Sequence, residues 1–101
     1  METFGQDMTR ENCSLLYREL VDGEFYFISN GIHHIGHIYN SVATTYPHLC
    51  DDDYNCRLHS CRKGTNNPEW MHRVRTALGA LKDRRIRVSK DGCNQGYWKF
   101  D

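Results

Sequence analysis

Apolar residues fall at helical spacing in three stretches of this chain and alternate in a fourth. The strongest pattern is Trp70, Val74, Ala77, Leu78 and Leu81, which share one stripe of a helix over Pro68–Lys82 that ends around Asp83. Asn66 or Asn67 is the expected cap, and Pro68 the expected first helical residue, where a missing N–H costs nothing. The opposite face carries Glu69, His72, Thr76 and Gly79, with Arg73 and Arg75 on the shoulders. Cys13, Leu16, Tyr17 and Leu20 mark an earlier helix, capped by Asp7 or Thr9 and stopped at Asp22-Gly23. Ile32, Ile35, Tyr39, Val42, Ala43 and Tyr46 mark another, running from Ser29 or Asn30 to about Tyr46, where Pro47 enforces a stop. Between these two helices, the aromatic and branched run Glu24–Ile28 reads as a strand.

Near the C-terminus, Ile86 and Val88 flank Arg87, and Trp98 and Phe100 alternate with Tyr97 and Lys99. Lys90-Asp91-Gly92 and Asn94-Gln95-Gly96 supply turn residues between them, so 86–100 reads as a β-hairpin with Lys90 at its tip. Residues 47–67 show no periodicity; a connection of that length is uncommon in a compact domain unless it is functional, tied down or hides a short element. The order helix, strand, helix, helix, strand, turn, strand predicts an α+β, mainly α, fold. It is a winged helix-turn-helix of three helices, a small antiparallel sheet and a C-terminal hairpin wing, with 1–101 as a single domain. In that motif the third helix would lie in the DNA major groove.

Specific residues carry a resemblance. Ile38-Tyr39-Asn40-Ser41-Val42, Tyr46-Pro47-His48-Leu49-Cys50-Asp51-Asp52, Pro68-Glu69-Trp70 with His72-Arg73-Val74-Arg75, Ala77-Leu78, Leu81-Lys82 and Gly96-Tyr97-Trp98-Lys99-Phe100 resemble one module. It is the winged-helix DNA-binding domain that accompanies restriction endonucleases, including the Mrr-type N-terminal domain. The chain departs from that pattern where Asp83-Arg84-Arg85 follows the Leu-Lys pair and in its longer cysteine-bearing loop. The resemblance implies a role in restriction–modification as the targeting part of a nuclease, or a small transcription regulator.

Charge sharpens this expectation. The chain is formally neutral, yet residues 1–54 hold two basic against nine acidic residues, and residues 55–101 hold eleven basic against four acidic. A balance of −7 followed by +7 predicts a basic face able to meet an anionic polymer, double-stranded DNA. A competing reading is that the halves attract each other. The expected DNA-binding residues are Arg62, Lys63 and Asn67 before the helix, then His72, Arg73, Arg75 and Thr76 on it, and Arg84, Arg85, Arg87 and Lys90 on the wing side. Among them His72, Arg75 and Thr76 are the candidates for base edges. The alternative is a winged-helix domain that binds protein rather than DNA, through exposed aromatics such as Tyr54 and Tyr97. A nuclease domain or a second copy of the chain is a further candidate partner.

Other chemistry has weaker footing. Five cysteines without a secretion signal argue against a complete disulfide framework. No apolar run approaches the roughly 20 residues of a membrane span, so a cytoplasmic protein with no membrane partner is expected. His48, Cys50, Cys56, His59 and Cys61 are ligand types for structural zinc in the 48–61 loop, but no Cys-x-x-Cys pair is present, and no cofactor is expected. His33 and His37 sit one turn apart on the expected second helix without a third ligand. No catalytic constellation emerges: Asp51-Asp52-Asp53 lacks converging partners, and Cys50 with His48 lacks an orienting third group, so the expectation is a non-enzyme.

Overall fold

The computed structural model describes residues 2–52 and 68–101, with side chains from Glu11 onward. Three helices and one small antiparallel sheet make a mixed, mainly helical α+β arrangement. In chain order these are α1 (Glu2–Gly23), β1 (Gly31–His34), α2 (Ile35–Thr45), a 3-10 turn at Pro47–Leu49, α3 (Glu69–Arg84), β2 (Val88–Ser89) and β3 (Tyr97–Phe100). The strands lie in the order β1-β3-β2, both pairings antiparallel.

The core forms where the apolar stripes meet. Leu16 and Leu20 of α1 pack with Val74, Ala77, Leu78 and Leu81 of α3, and Ile38 and Val42 of α2 close the cluster with Phe100 of β3. The helical spacing of these positions is therefore satisfied by burial, which contributes roughly 1.5–3 kcal/mol per large side chain. The connection after α2 holds the short element Pro47–Leu49, whose Leu49 joins the same core.

Several expectations are corrected. Glu24–Ile28 is not a strand: Glu24 and Phe25 take left-handed backbone (φ 53° and 52°), which no strand can contain. Their N–H groups donate to Val21 and Leu20 carbonyls (3.2 and 3.3 Å), so they, not Gly23, provide the left-handed stop of α1. The run is aromatic and branched because Phe25 and Ile28 turn inward to the core.

The second helix begins at Ile35 rather than Ser29 or Asn30, because Gly31–His34 pairs along β3 in the register Gly31↔Phe100, Ile32↔Lys99, His33↔Trp98 and His34↔Tyr97. Ile32 consequently lies on the outer sheet face and is 52% exposed. His34 caps α2 instead, its Nδ1 accepting from the Gly36 N–H at 3.0 Å. Gly96 (φ 87°) turns the chain into β3, and its carbonyl accepts the Ile35 N–H at 2.8 Å; a Cβ there would meet the His34 ring at 3.6 Å.

Pro68 is the residue before α3 and has no side-chain cap partner. The proposed caps Asn66 and Asn67 lie outside the described residues. Glu69, placed by its spacing on the polar face, is 4% exposed, and its Oε2 meets Arg73 Nε at 2.7 Å. At the far end Arg85 is left-handed (φ 58°) and its N–H donates to the Leu81 and Lys82 carbonyls.

Candidate nucleic-acid interface

The burial of Trp70, Val74, Ala77, Leu78 and Leu81 fixes the rotation of α3 and so decides which side chains face away from the core. Arg75, Thr76 and Lys82 are exposed, and Gly79 lies between them with nothing within 4 Å of where a Cβ would project. Lys82 stands two turns beyond Arg75, on the same face. It is a functional candidate that the sequence reading passed over, although the seven-residue spacing was its signal. Thr76 donates its hydroxyl to the His72 carbonyl at 3.0 Å.

Arg75 is held rather than loose. Its Nε donates to the Tyr39 hydroxyl at 2.7 Å, and the Tyr39 ring meets Trp70 edge-on at 5.8 Å. Trp70 in turn donates from Nε1 to Asp52 at 2.8 Å. A chain of contacts thus runs from the segment before α3, through α2, to the guanidinium on the outer face. With Nε occupied, the two terminal nitrogens of Arg75 remain for a ligand.

The hairpin approaches α3 from the side. A cleft of about 260 Å³ lies between them, lined by Ile35, Arg75, Lys90, Gln95, Gly96 and Trp98. Lys90 donates to the Tyr97 carbonyl, and its Nζ lies 4.5 Å from the centroid of the Trp98 ring. Two cations from different elements therefore border one cleft, and an indole forms part of its wall.

The other expected contacts divide. Arg84 and Arg85 are exposed at the end of α3. Arg73 is turned onto Glu69, which uses its Nε. Arg87 has a different task from the one its charge suggested. It also takes left-handed backbone (φ 62°), and its guanidinium donates to the carbonyls of Glu24 (2.7 Å), Phe25 (2.5 Å) and Ile28 and to Asn30 Oδ1 (3.2 Å), while facing the Phe100 ring at 5.2 Å. It clamps the 24–30 turn to the sheet. Arg62, Lys63, Asn67 and the aromatic Tyr54 lie outside the described residues.

Among the described residues no group of three or more His, Cys, Asp or Glu side chains could hold a metal ion. Cys56, His59, Cys61 and Asp53 lie outside the described residues. Burial, reinforced by the Asp52 carboxylate and by Cys13, pushes the Cys50 thiol up to about 12. Burial, with the Glu69 and Asp51 carboxylates adding and Arg73 opposing, pushes Cys13 up to about 11. Both thiols are held protonated near neutral pH, the opposite of an activated nucleophile. His33 and His37 fall on different elements, β1 and α2, yet their rings stack at 5.0 Å, and His33 Nε2 lies 2.8 Å from the Ser29 carbonyl. No helix is long and apolar enough to cross a membrane among the described residues.

Comparison of the chain with protein-family models, with curated proteins and with solved structures found no match.

Proposed function

We propose that this chain is a winged-helix module that binds duplex DNA through the outer face of α3 and the β2–β3 hairpin. The element order helix, strand, helix, helix, strand, strand and the strand order β1-β3-β2 support the fold reading. The observation that carries the functional reading is the meeting of Arg75 and Lys90 at one cleft, beside a face that continues to Lys82. Acidic Glu11, Glu19, Asp22 and Glu24 belong to α1 and the turn after it, whereas α3 and the hairpin expose Arg75, Lys82, Arg84 and Arg85 with Asp83 and Asp91 as exposed carboxylates among them. The Arg73–Glu69 ion pair lies within α3, so it does not neutralise one half of the chain with the other.

Arg75, through its fork, Lys82, Arg84, Arg85 and Lys90 would contact phosphates, which position the module, while His72 and Thr76 would meet base edges. In this reading Arg87 lies outside the interface, because both of its terminal nitrogens are engaged by the 24–30 turn, and Arg73 contributes less charge than Arg75 because Glu69 pairs with its Nε. A role as the targeting part of a restriction nuclease or as a small regulator is the context proposed for such a module.

The test is fluorescence anisotropy with mixed-sequence duplexes across a salt series. Four to five phosphate contacts give log–log slopes of about −4. No binding at low salt would remove the DNA reading. A second reading has an observation of its own. On the outer sheet face Ile32 is 52% and Tyr97 38% exposed, with Tyr97 edge-on to His34 at 5.0 Å, a surface suited to a protein partner. Salt-insensitive capture of a partner that Ile32→Ser abolishes, without duplex binding, would favour that reading.

A further inference from the structure

We propose that the α3–hairpin cleft is a seat for a single phosphate group, and that Lys90 changes partners when the seat fills. The inference rests on the DNA reading for the source of the phosphate, a duplex backbone. In the free protein Lys90 is folded back along its own hairpin, donating to the Tyr97 carbonyl with its ammonium over the Trp98 ring. Both of its partners are neutral. A phosphate oxygen is a charged acceptor, and bonds between ionised partners are stronger and shorter than bonds to a carbonyl. A phosphate arriving in the cleft therefore outcompetes the carbonyl and the indole face for the ammonium.

Arg75 makes this a seat rather than a lone cation. It borders the same cleft from α3, and the bond from Nε to Tyr39 fixes the direction of its fork. Arg75 thus binds without rearranging, whereas Lys90 moves. Gln95 and the Gly96 backbone complete the wall with neutral groups that do not repel an anion. The contrasting role for Lys90 is a permanent staple across the turn between β2 and β3, in which case it stays on Tyr97 whatever binds.

Tryptophan emission distinguishes these roles, because Trp98 loses its cation only if Lys90 moves, while Trp70 is buried and serves as a constant background. The experiment titrates the full chain with a 20-base-pair duplex and, separately, with inorganic phosphate against chloride at matched ionic strength. Binding is followed by anisotropy and tryptophan emission in the wild type, Lys90→Met, Lys90→Gln and Trp98→Phe, with folding checked by circular dichroism. The expected result is an emission change on duplex binding that all three substitutions abolish. Lys90→Met is expected to lower affinity five- to tenfold at low salt and to reduce the salt slope by about one.

Duplex binding with no change in emission, or with the same change in Lys90→Met, overturns the seat and leaves the DNA reading intact. Absence of duplex binding removes the DNA reading, and inorganic phosphate then decides the seat alone. A phosphate-specific emission change that Lys90→Gln abolishes retains it as a small-anion site; no change overturns it.

Discussion

Replacing Arg87 with alanine should destabilise the protein by about 3 kcal/mol. Its guanidinium donates to three backbone carbonyls and one side-chain oxygen, all in the turn 24–30. Hydrogen bonds from a charged group contribute about 1.5–3 kcal/mol when buried. The Glu24 bond is exposed, so water can replace it, and the sum is carried mainly by the part-buried bonds to Phe25 and Ile28. Packing over Phe100 adds roughly 0.5 kcal/mol. For a domain of this size a loss of 3 kcal/mol lowers Tm by on the order of 15 °C. Urea denaturation followed by circular dichroism measures it. Arg87→Gly provides the internal control, because φ at this position is 62° and glycine adopts it without a Cβ penalty. That variant should recover about 1 kcal/mol relative to alanine while still lacking the clamp. Arg87→Ala within about 0.5 kcal/mol of the wild type would refute the clamp. Below its melting temperature, Arg87→Ala should also leave the salt slope of duplex binding unchanged; a slope reduced by about one would return Arg87 to the interface.

Other expectations concern the site and the core. Tyr39→Phe removes the hydroxyl that holds Arg75 and should weaken duplex binding about two- to fivefold, with Tm changed by only a few degrees. Gly79→Ala should raise stability by about 0.7–1 kcal/mol in thermal melts, since its backbone is helical and a Cβ meets nothing within 4 Å; a loss of stability would contradict that geometry. For pH, the buried Cys13 thiol is raised to about 11 while an unfolded thiol ionises near 9. The unfolded chain therefore loses the proton first as pH rises. Its contribution is fully present below about pH 9 and falls by up to about 1.4 kcal/mol per pH unit between 9 and 11. Urea midpoints at pH 8 and 10, compared with Cys13→Ala, check it: the loss at pH 10 should be about 1.4 kcal/mol smaller in the variant, the remaining loss belonging to the likewise raised Cys50 thiol.

What the sequence made legible follows from where the forces act locally. The α3 stripe was readable because one pattern, Trp70 to Leu81, meets one consequence, burial against α1. The hairpin was readable in part: turn residues separate Val88–Ser89 from Tyr97–Phe100, which pair as β2 and β3, but the left-handed Arg87 keeps Ile86 out of the strand expected from Ile86 onward. The first strand was misplaced because the apolar content of Phe25 and Ile28 reports burial, not backbone form. That form is set by the helix stop and by a guanidinium 59 to 63 residues away. Gly31–His34 becomes a strand because β3 supplies its hydrogen bonds, and nothing local announces a partner so distant in sequence.

The same logic explains why counting charges locates a basic half but does not give the task of each of its members. A lysine or arginine is free for a phosphate only if the fold has not already engaged it, and engagement depends on tertiary geometry. Arg73 lies within reach of a buried carboxylate four residues earlier, a relation visible in the sequence once Glu69 is known to face inward. Arg87 shows no such local sign. Lys90 stands between these cases: it is engaged, but by a carbonyl and an indole rather than by an anion. Partners of that kind orient a cation without neutralising it, so its charge still contributes to the field of the face. Among the described residues, then, Arg87 holds the fold together while Arg75 and Lys90 are cations that the fold holds in position, and these two meet at one cleft beside α3.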